Sequence, residues 1–157
     1  MTLDAADRAA LTDLVHRYAA HIDDRQFDSA AELFAEGAEL TLPDPPARLE
    51  PTHQHRGRTA IRDALAAAAA TIRTQHATVG EVYDGDPRTG TAHGRIACVA
   101  HHWISHEDQI RDVVWHLRYA DEYRRHAADW RIARRVLTID AIETRSARQV
   151  RVTGPSE

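Results

Sequence analysis

A chain of 157 residues, 43% apolar and 28% charged, carries enough hydrophobic material for one core under an ordinary polar surface. Its formal net charge of −4, without a basic cluster or an acidic block, argues against a nucleic-acid partner. The single cysteine, Cys98, excludes an internal disulfide and a cysteine-based metal centre, and no apolar run is long enough to span a bilayer.

The start Met1-Thr2-Leu3-Asp4 is acidic and unlike a signal peptide, so a reducing cytoplasm is the expected compartment. Leu11, Leu14, Val15, Tyr18, Ala19 and Ile22 recur at helical spacing and predict an amphipathic helix that stops near Asp23-Asp24. Asp4 is placed to cap it, and Asp7 lies in the first turn, where the helix dipole favours a carboxylate. A short second helix is predicted after Asp28, carrying Ala31, Leu33 and Phe34 until Gly37 breaks it. Ala38 to Leu42 reads as a short strand ended by Pro43-Asp44-Pro45-Pro46. From there to Gly57 there is no periodicity, and with Pro51, His53 and His55 the segment reads as a long loop, of the kind that serves as a lid or a crossing. Thr59 is the predicted cap of a third helix, with Ile61, Leu65, Ala68, Ala69 and Ile72 facing inward.

The remainder is strand-rich. Gln75 to Tyr83, Thr91 to Ser105, Ile110 to Arg125 and Trp130 to Glu143 are separated by short turns and predict consecutive antiparallel neighbours. Helices followed by a meander give an α+β class, with three N-terminal helices packed on a curved antiparallel sheet and a pocket between the two layers. One domain over 1–157 is expected, its core about 5–143 and its tail 144–157 polar and frayed.

Strand periodicity sorts the candidate pocket residues. Val113, Trp115, Leu117, Tyr119, Asp121 and Tyr123 share the more apolar face of one strand. Asp121 there needs a partner, and Arg134 or Arg135 on the neighbouring strand supplies one. On the preceding strand His101 shares a face with Trp103 and Ser105, whereas His102 points the other way with Ile104 and Cys98. Only one of the two histidines can face a pocket, and spacing favours His101. Trp103 and Trp115 would then shape a flat apolar cavity for a ring-bearing substrate.

The eleven histidines invite a metal reading, but His53-Gln54-His55 and His101-His102 lack the helical His-x3-His spacing and a third ligand, so no metal is expected. No glycine-rich phosphate loop and no Gly-x-Ser-x-Gly motif is present, so no nucleotide cofactor is expected either.

Several segments carry a resemblance over roughly residues 5–143: Tyr18 with Asp23, Ala31-Glu32-Leu33-Phe34-Ala35-Glu36-Gly37-Ala38, Gly57-Arg58-Thr59-Ala60-Ile61, Gln75-His76, Tyr119-Ala120-Asp121, and Trp130-Arg131-Ile132 with Arg134-Arg135. Together they resemble the SnoaL-like branch of the nuclear-transport-factor-2-like superfamily. The resemblance implies a cone-shaped α+β barrel, a homodimer or homotrimer, and a small-molecule ligand. It spans dehydratases, isomerases, polyketide cyclases, non-catalytic binding modules and the structural β subunits of ring dioxygenases, so fold alone does not choose among them.

Tyr18 and Asp23 match the Tyr-x4-Asp pair of the bile-acid dehydratase group, with His76 and Arg135 (or Arg134) at the places of its strand histidine and late arginine. Scytalone dehydratase-like enzymes use two strand histidines, and His76 with His101 fit that spacing. On one unbroken helix, residues five apart are about 140° apart, so Tyr18 and Asp23 converge only if the helix ends between them and the chain turns. The expected chemistry is cofactor-independent elimination beside a carbonyl. His76 acts as base or acid, Asp23 orients it or acts as base itself, Tyr18 donates to the carbonyl oxygen, and Arg135 holds a carboxylate or oxyanion. Trp103, Trp115, Leu117, Tyr119 and Asp121 are the expected substrate-binding residues. The leading expectation is a dehydratase, with isomerase, cyclase or binding module as alternatives.

Overall fold

The computed structural model describes residues 2–152. In chain order the elements are helices α1 (Ala5–Asp23) and α2 (Phe27–Glu32), strands β1 (Phe34–Asp44) and β2 (Arg48–Arg56), helix α3 (Arg58–Leu65) with a 3₁₀ turn (Ala66–Ala70), then strands β3 (Arg73–Asp86), β4 (Thr91–His106), β5 (Gln109–His126) and β6 (Asp129–Ala147). The strands form one sheet in the order β2-β1-β6-β5-β4-β3, against which the helices pack, giving the expected α+β architecture.

The amphipathic stripe of α1 folds as its spacing predicts. Asp4 accepts a hydrogen bond from the Asp7 backbone N–H at 2.8 Å, and Leu11, Leu14, Val15, Tyr18 and Ile22 are buried. Asp7 is buried as well and accepts from Trp130 Nε1 at 3.0 Å and from Arg125, which anchors the start of α1 to the far end of the sheet. The β3–β6 meander has the predicted antiparallel pairings. One of its two-residue turns, at Glu107-Asp108, has both residues at positive φ, the backbone of a type I′ hairpin.

Six expectations are corrected. The second helix ends at Glu32, because Leu33 is its C-cap and Phe34 enters the sheet opposite Ile132. The segment expected as a long loop contains β2, an edge strand paired antiparallel to β1 with His55 opposite Leu40 and His53 opposite Leu42. Much of this strand is exposed, so it has no apolar alternation to read, and an edge tolerates Pro51. The cap of α3 is Gly57 at φ 85°, not Thr59, and the alanines beyond Leu65 wind into the 3₁₀ turn with Ala69 exposed. The sheet is also mixed: β1 runs parallel to β6, and β6 continues to Ala147, past the predicted start of fraying.

Two bulges between β5 and β6 reset the inward face. Trp130 and Ile132 point inward before the bulge between Ile132 and Arg134, and Arg135, Leu137 and Ile139 do so after it. No helix among the described residues is long and apolar enough to cross a membrane.

Gly94 lies opposite Asp121 on β5, and a Cβ there would meet Tyr123 Oη at 2.7 Å and Cε2 at 2.8 Å. Gly94→Ala is expected to cost about 1–3 kcal/mol by overpacking a pinned ring. Gly80→Ala, where the nearest atom is 3.7 Å away, is expected to stay within about 0.5 kcal/mol of wild type. Urea midpoints of the two variants check the contrast.

Candidate active site

Between the helices and the sheet lies a cavity of about 360 Å³. Its walls are largely apolar, with Leu42, Leu65, Ile104, Val113, Trp115 and Leu117 among them, and polar side chains reach it from Tyr18, Thr71, His76, His102 and Tyr119.

The end of α1 positions the first of these groups. Asp23 is the last helical residue, Asp24 caps the helix, and Arg25 at φ 61° turns the chain away. The Asp23 carboxylate is left facing β3. It accepts from Thr74 Oγ1 at 2.9 Å and from the His76 backbone N–H at 2.9 Å, and its Oδ1 lies 2.7 Å from His76 Nδ1. A carboxylate only accepts, so Nδ1 carries the hydrogen, and in the neutral ring the lone pair lies on Nε2. Arg25 donates to the carbonyls of Ala68 and Thr71, fixing the 3₁₀ turn that forms one lip of the cavity.

His102 on β4 is the second imidazole. Its Nδ1 lies 2.9 Å from the Val113 carbonyl oxygen, which again assigns the hydrogen to Nδ1 and leaves Nε2 as an acceptor. Burial pushes its pKa down to about 4, with the Val113 hydrogen bond opposing the shift, so His102 is neutral at pH 7. The His76 and His102 rings meet edge to face with centroids 6.0 Å apart, and His102 lies tilted against Trp115 at 4.2 Å.

Under the cavity lies a buried ion pair. Arg135 Nε and Nη2 donate to the two carboxylate oxygens of Asp121 at 2.8 and 2.7 Å, and the Tyr123 hydroxyl donates to Asp121 Oδ2 at 2.5 Å. The Arg135 guanidinium carbon is 4.3 Å from the Tyr18 ring centroid and 4.0 Å from that of Tyr119. Burial alone would lower the Arg135 pKa, but the Asp121 charge outweighs it and keeps the guanidinium protonated. Burial raises the Tyr18 pKa, and the Arg135 charge partly opposes that rise.

The structure therefore brings together Tyr18, His76, Trp115, Leu117 and Tyr119 at the cavity, with Asp23 behind His76. It separates His101 and Trp103 from them. Buried Ile96, Cys98 and Ala100 put the even positions of β4 inward, so His102 faces the cavity and His101 does not. On the opposite face His101 pairs with Asp112 at 2.7 Å and stacks on Trp103 at 5.4 Å. Asp121 and Arg135 lie beneath the cavity and do not line it, and Arg134 points outward toward Glu122 and Glu39. His102 and Thr74 were missed as site residues. The apolar even positions of β4 carried the signal for His102; nothing local marks Thr74. No cluster of three or more His, Cys, Asp or Glu suited to a metal ion occurs among the described residues.

Comparison with known proteins places the chain clearly. The model of the SnoaL-like domain matches residues 4–136. No curated protein matches the sequence. Among solved structures, a protein provisionally assigned as a scytalone dehydratase from Novosphingobium aromaticivorans is 22% identical, with a TM-score of 0.73 over 96% of this chain and 93% of that one. The Kfla4162 protein of Kribbella flavida is 26% identical, with a TM-score of 0.73 over 89% of this chain and 95% of that one. A type 2 hexachlorocyclohexane dehydrochlorinase, LinA, is 16% identical, with a TM-score of 0.71 over 97% and 96%.

Asp121→Ala strands a buried cation and is expected to cost about 3–5 kcal/mol, whereas replacing both partners, Asp121→Leu with Arg135→Met, is expected to cost far less. Equilibrium urea unfolding distinguishes the two. His102 gives a pH signature. Its folded pKa of about 4 lies below the ordinary 6.5, so its contribution to stability is whole above about pH 6.5 and is lost as pH falls toward 4. The loss is expected to reach no more than about 3 kcal/mol and to vanish in His102→Gln, measured as unfolding free energy against pH.

Proposed function

The chain belongs to the SnoaL-like domain family, and on that premise we propose that it is a cofactor-independent lyase, a dehydratase that removes water from a hydroxylated, ring-bearing carbonyl compound. One observation carries this reading: an imidazole held through Nδ1 by a carboxylate lines an apolar cavity, beside a second, neutral imidazole and a tyrosine. A protein that only stored an apolar ligand would gain nothing from desolvating these groups.

In this reading His76 Nε2 takes the proton from the carbon next to the carbonyl, and Asp23 stabilises the imidazolium that forms. Tyr18 donates a hydrogen bond to the carbonyl oxygen as enolate charge develops there. His102, a neutral acceptor at Nε2, receives the hydrogen bond of the substrate hydroxyl and orients it. The enolate then re-forms the carbonyl as the C–O bond breaks. His76 returns its proton to the departing oxygen, so one C–H and one C–O bond are lost, a C=C bond is gained, and water leaves. Trp115 and Leu117 supply flat apolar walls for a ring. The names of two structures that share the fold, a dehydratase and a dehydrochlorinase, both describe eliminations, which supports this class of chemistry. The working unit is proposed as a single domain in a homodimer or homotrimer.

The test is a panel of ring-bearing β-hydroxy ketones assayed by the absorbance of the conjugated product. His76→Ala and Asp23→Asn are expected to lower kcat/KM by about 10²–10⁴, and His101→Ala to leave it within about twofold. Full activity in His76→Ala would sink the mechanism.

A further inference from the structure

The late arginine of the resemblance was expected to hold a substrate anion. Its setting here does not suit that task, because Arg135 is fully buried, does not line the cavity, and has two of its nitrogens committed to Asp121. We propose that Arg135 is a positioning residue for Tyr18: its guanidinium, clamped by Asp121 against the Tyr18 and Tyr119 rings, makes the Tyr18 hydroxyl a stronger donor to an oxyanion in the cavity without touching the ligand. The inference rests on Tyr18 being the donor of the proposed site.

Four observations carry it. The pair is oriented, since Tyr123 holds Asp121 while the guanidinium lies over the Tyr18 and Tyr119 rings. Arg135 acts on Tyr18 more strongly than Asp121 does, so the phenol sees the positive end of the pair. A cation against an aromatic face in a dry site withdraws electron density far more effectively than it would in water. The arrangement is also costly for a purely structural device. Arg135 Nη1 is buried with no hydrogen-bond partner, and an apolar pair of similar volume would fill the space without that cost. Finally, the sequence contains no lysine, and among the described residues no arginine lines the cavity. The charge under Tyr18 is thus aimed at a ligand that arrives neutral and gathers negative charge on oxygen only as it reacts, an enolisable ketone or a phenol, and not at a carboxylate or a phosphate.

Binding of para-nitrophenolate, a stand-in for that oxyanion, tests this without turnover. Its affinity is measured at mildly alkaline pH for wild type and Tyr18→Phe, and again with Asp121→Leu and Arg135→Met in both. Tyr18→Phe is expected to weaken binding about tenfold when the ion pair is present and about twofold or less when it is replaced. Equal losses in the two backgrounds overturn the positioning role and leave Tyr18 as a donor. No loss in the native background overturns the reading of Tyr18 itself. Near-UV circular dichroism verifies packing; if the apolar pair does not fold, Asp121→Asn with Arg135→Gln is judged by the same ratio. Arg135→Lys, which keeps the charge, is expected to retain most of the Tyr18→Phe effect, and a loss of that effect counts against the proposal.

Discussion

The site depends on one carboxylate. Asp23 ends α1 and accepts hydrogen bonds from a side chain, a backbone N–H and an imidazole of β3, so a single group joins the helical layer to the edge of the sheet. The same contacts fix the rotamer and tautomer of His76. Arg25, two residues later, leaves in a left-handed conformation and grips the turn after α3. Helix end, sheet edge and cavity lip therefore meet at one corner. Geometry for chemistry and geometry for closing the fold come from the same three or four residues.

The two imidazoles at the cavity have different environments, and in the proposed mechanism this divides their roles. His76 is backed by a carboxylate that accepts its Nδ1–H, whereas His102 is backed by a carbonyl and by Trp115 in a setting that disfavours charge. One is suited to carrying a proton through a reaction cycle and the other to accepting a hydrogen bond and staying neutral. The apolar walls magnify both effects, since every charge or dipole in the cavity acts through a poorly screened medium. Beneath them lies the Asp121–Arg135 pair, proposed to set the field at Tyr18 from outside the ligand's reach.

The legible parts of the fold were those with strong local periodicity. The α1 stripe from Leu11 to Ile22 and the alternation along β4, β5 and β6 specify their elements and most of their burial. β2 was not legible, because an exposed edge strand has no buried face to write into its pattern, and the parallel pairing of β1 with β6 joins segments that no local signal connects. At the site, parity decided what was readable. Ala100, Cys98 and Ile96 already marked the even face of β4 as inward, which selects His102 over His101. Arg135 faces inward only because a bulge shifts the parity set by Trp130 and Ile132, so strict alternation would have turned it outward. Asp23 and His76 stand 53 positions apart, and only the family resemblance joined them before the structure did.

The central claim is that His76, oriented by Asp23, presents an unprotonated Nε2 to the cavity beside a neutral His102. Long-range ¹H–¹⁵N correlation spectra of the two imidazoles, recorded at mildly alkaline pH and followed into acid, test it most directly. The account predicts the Nδ1–H tautomer for both rings, the His76 proton shifted far downfield by its carboxylate partner, and His102 remaining neutral until the pH approaches about 4. A His76 ring with its hydrogen on Nε2 would leave no base facing the cavity and would contradict the account.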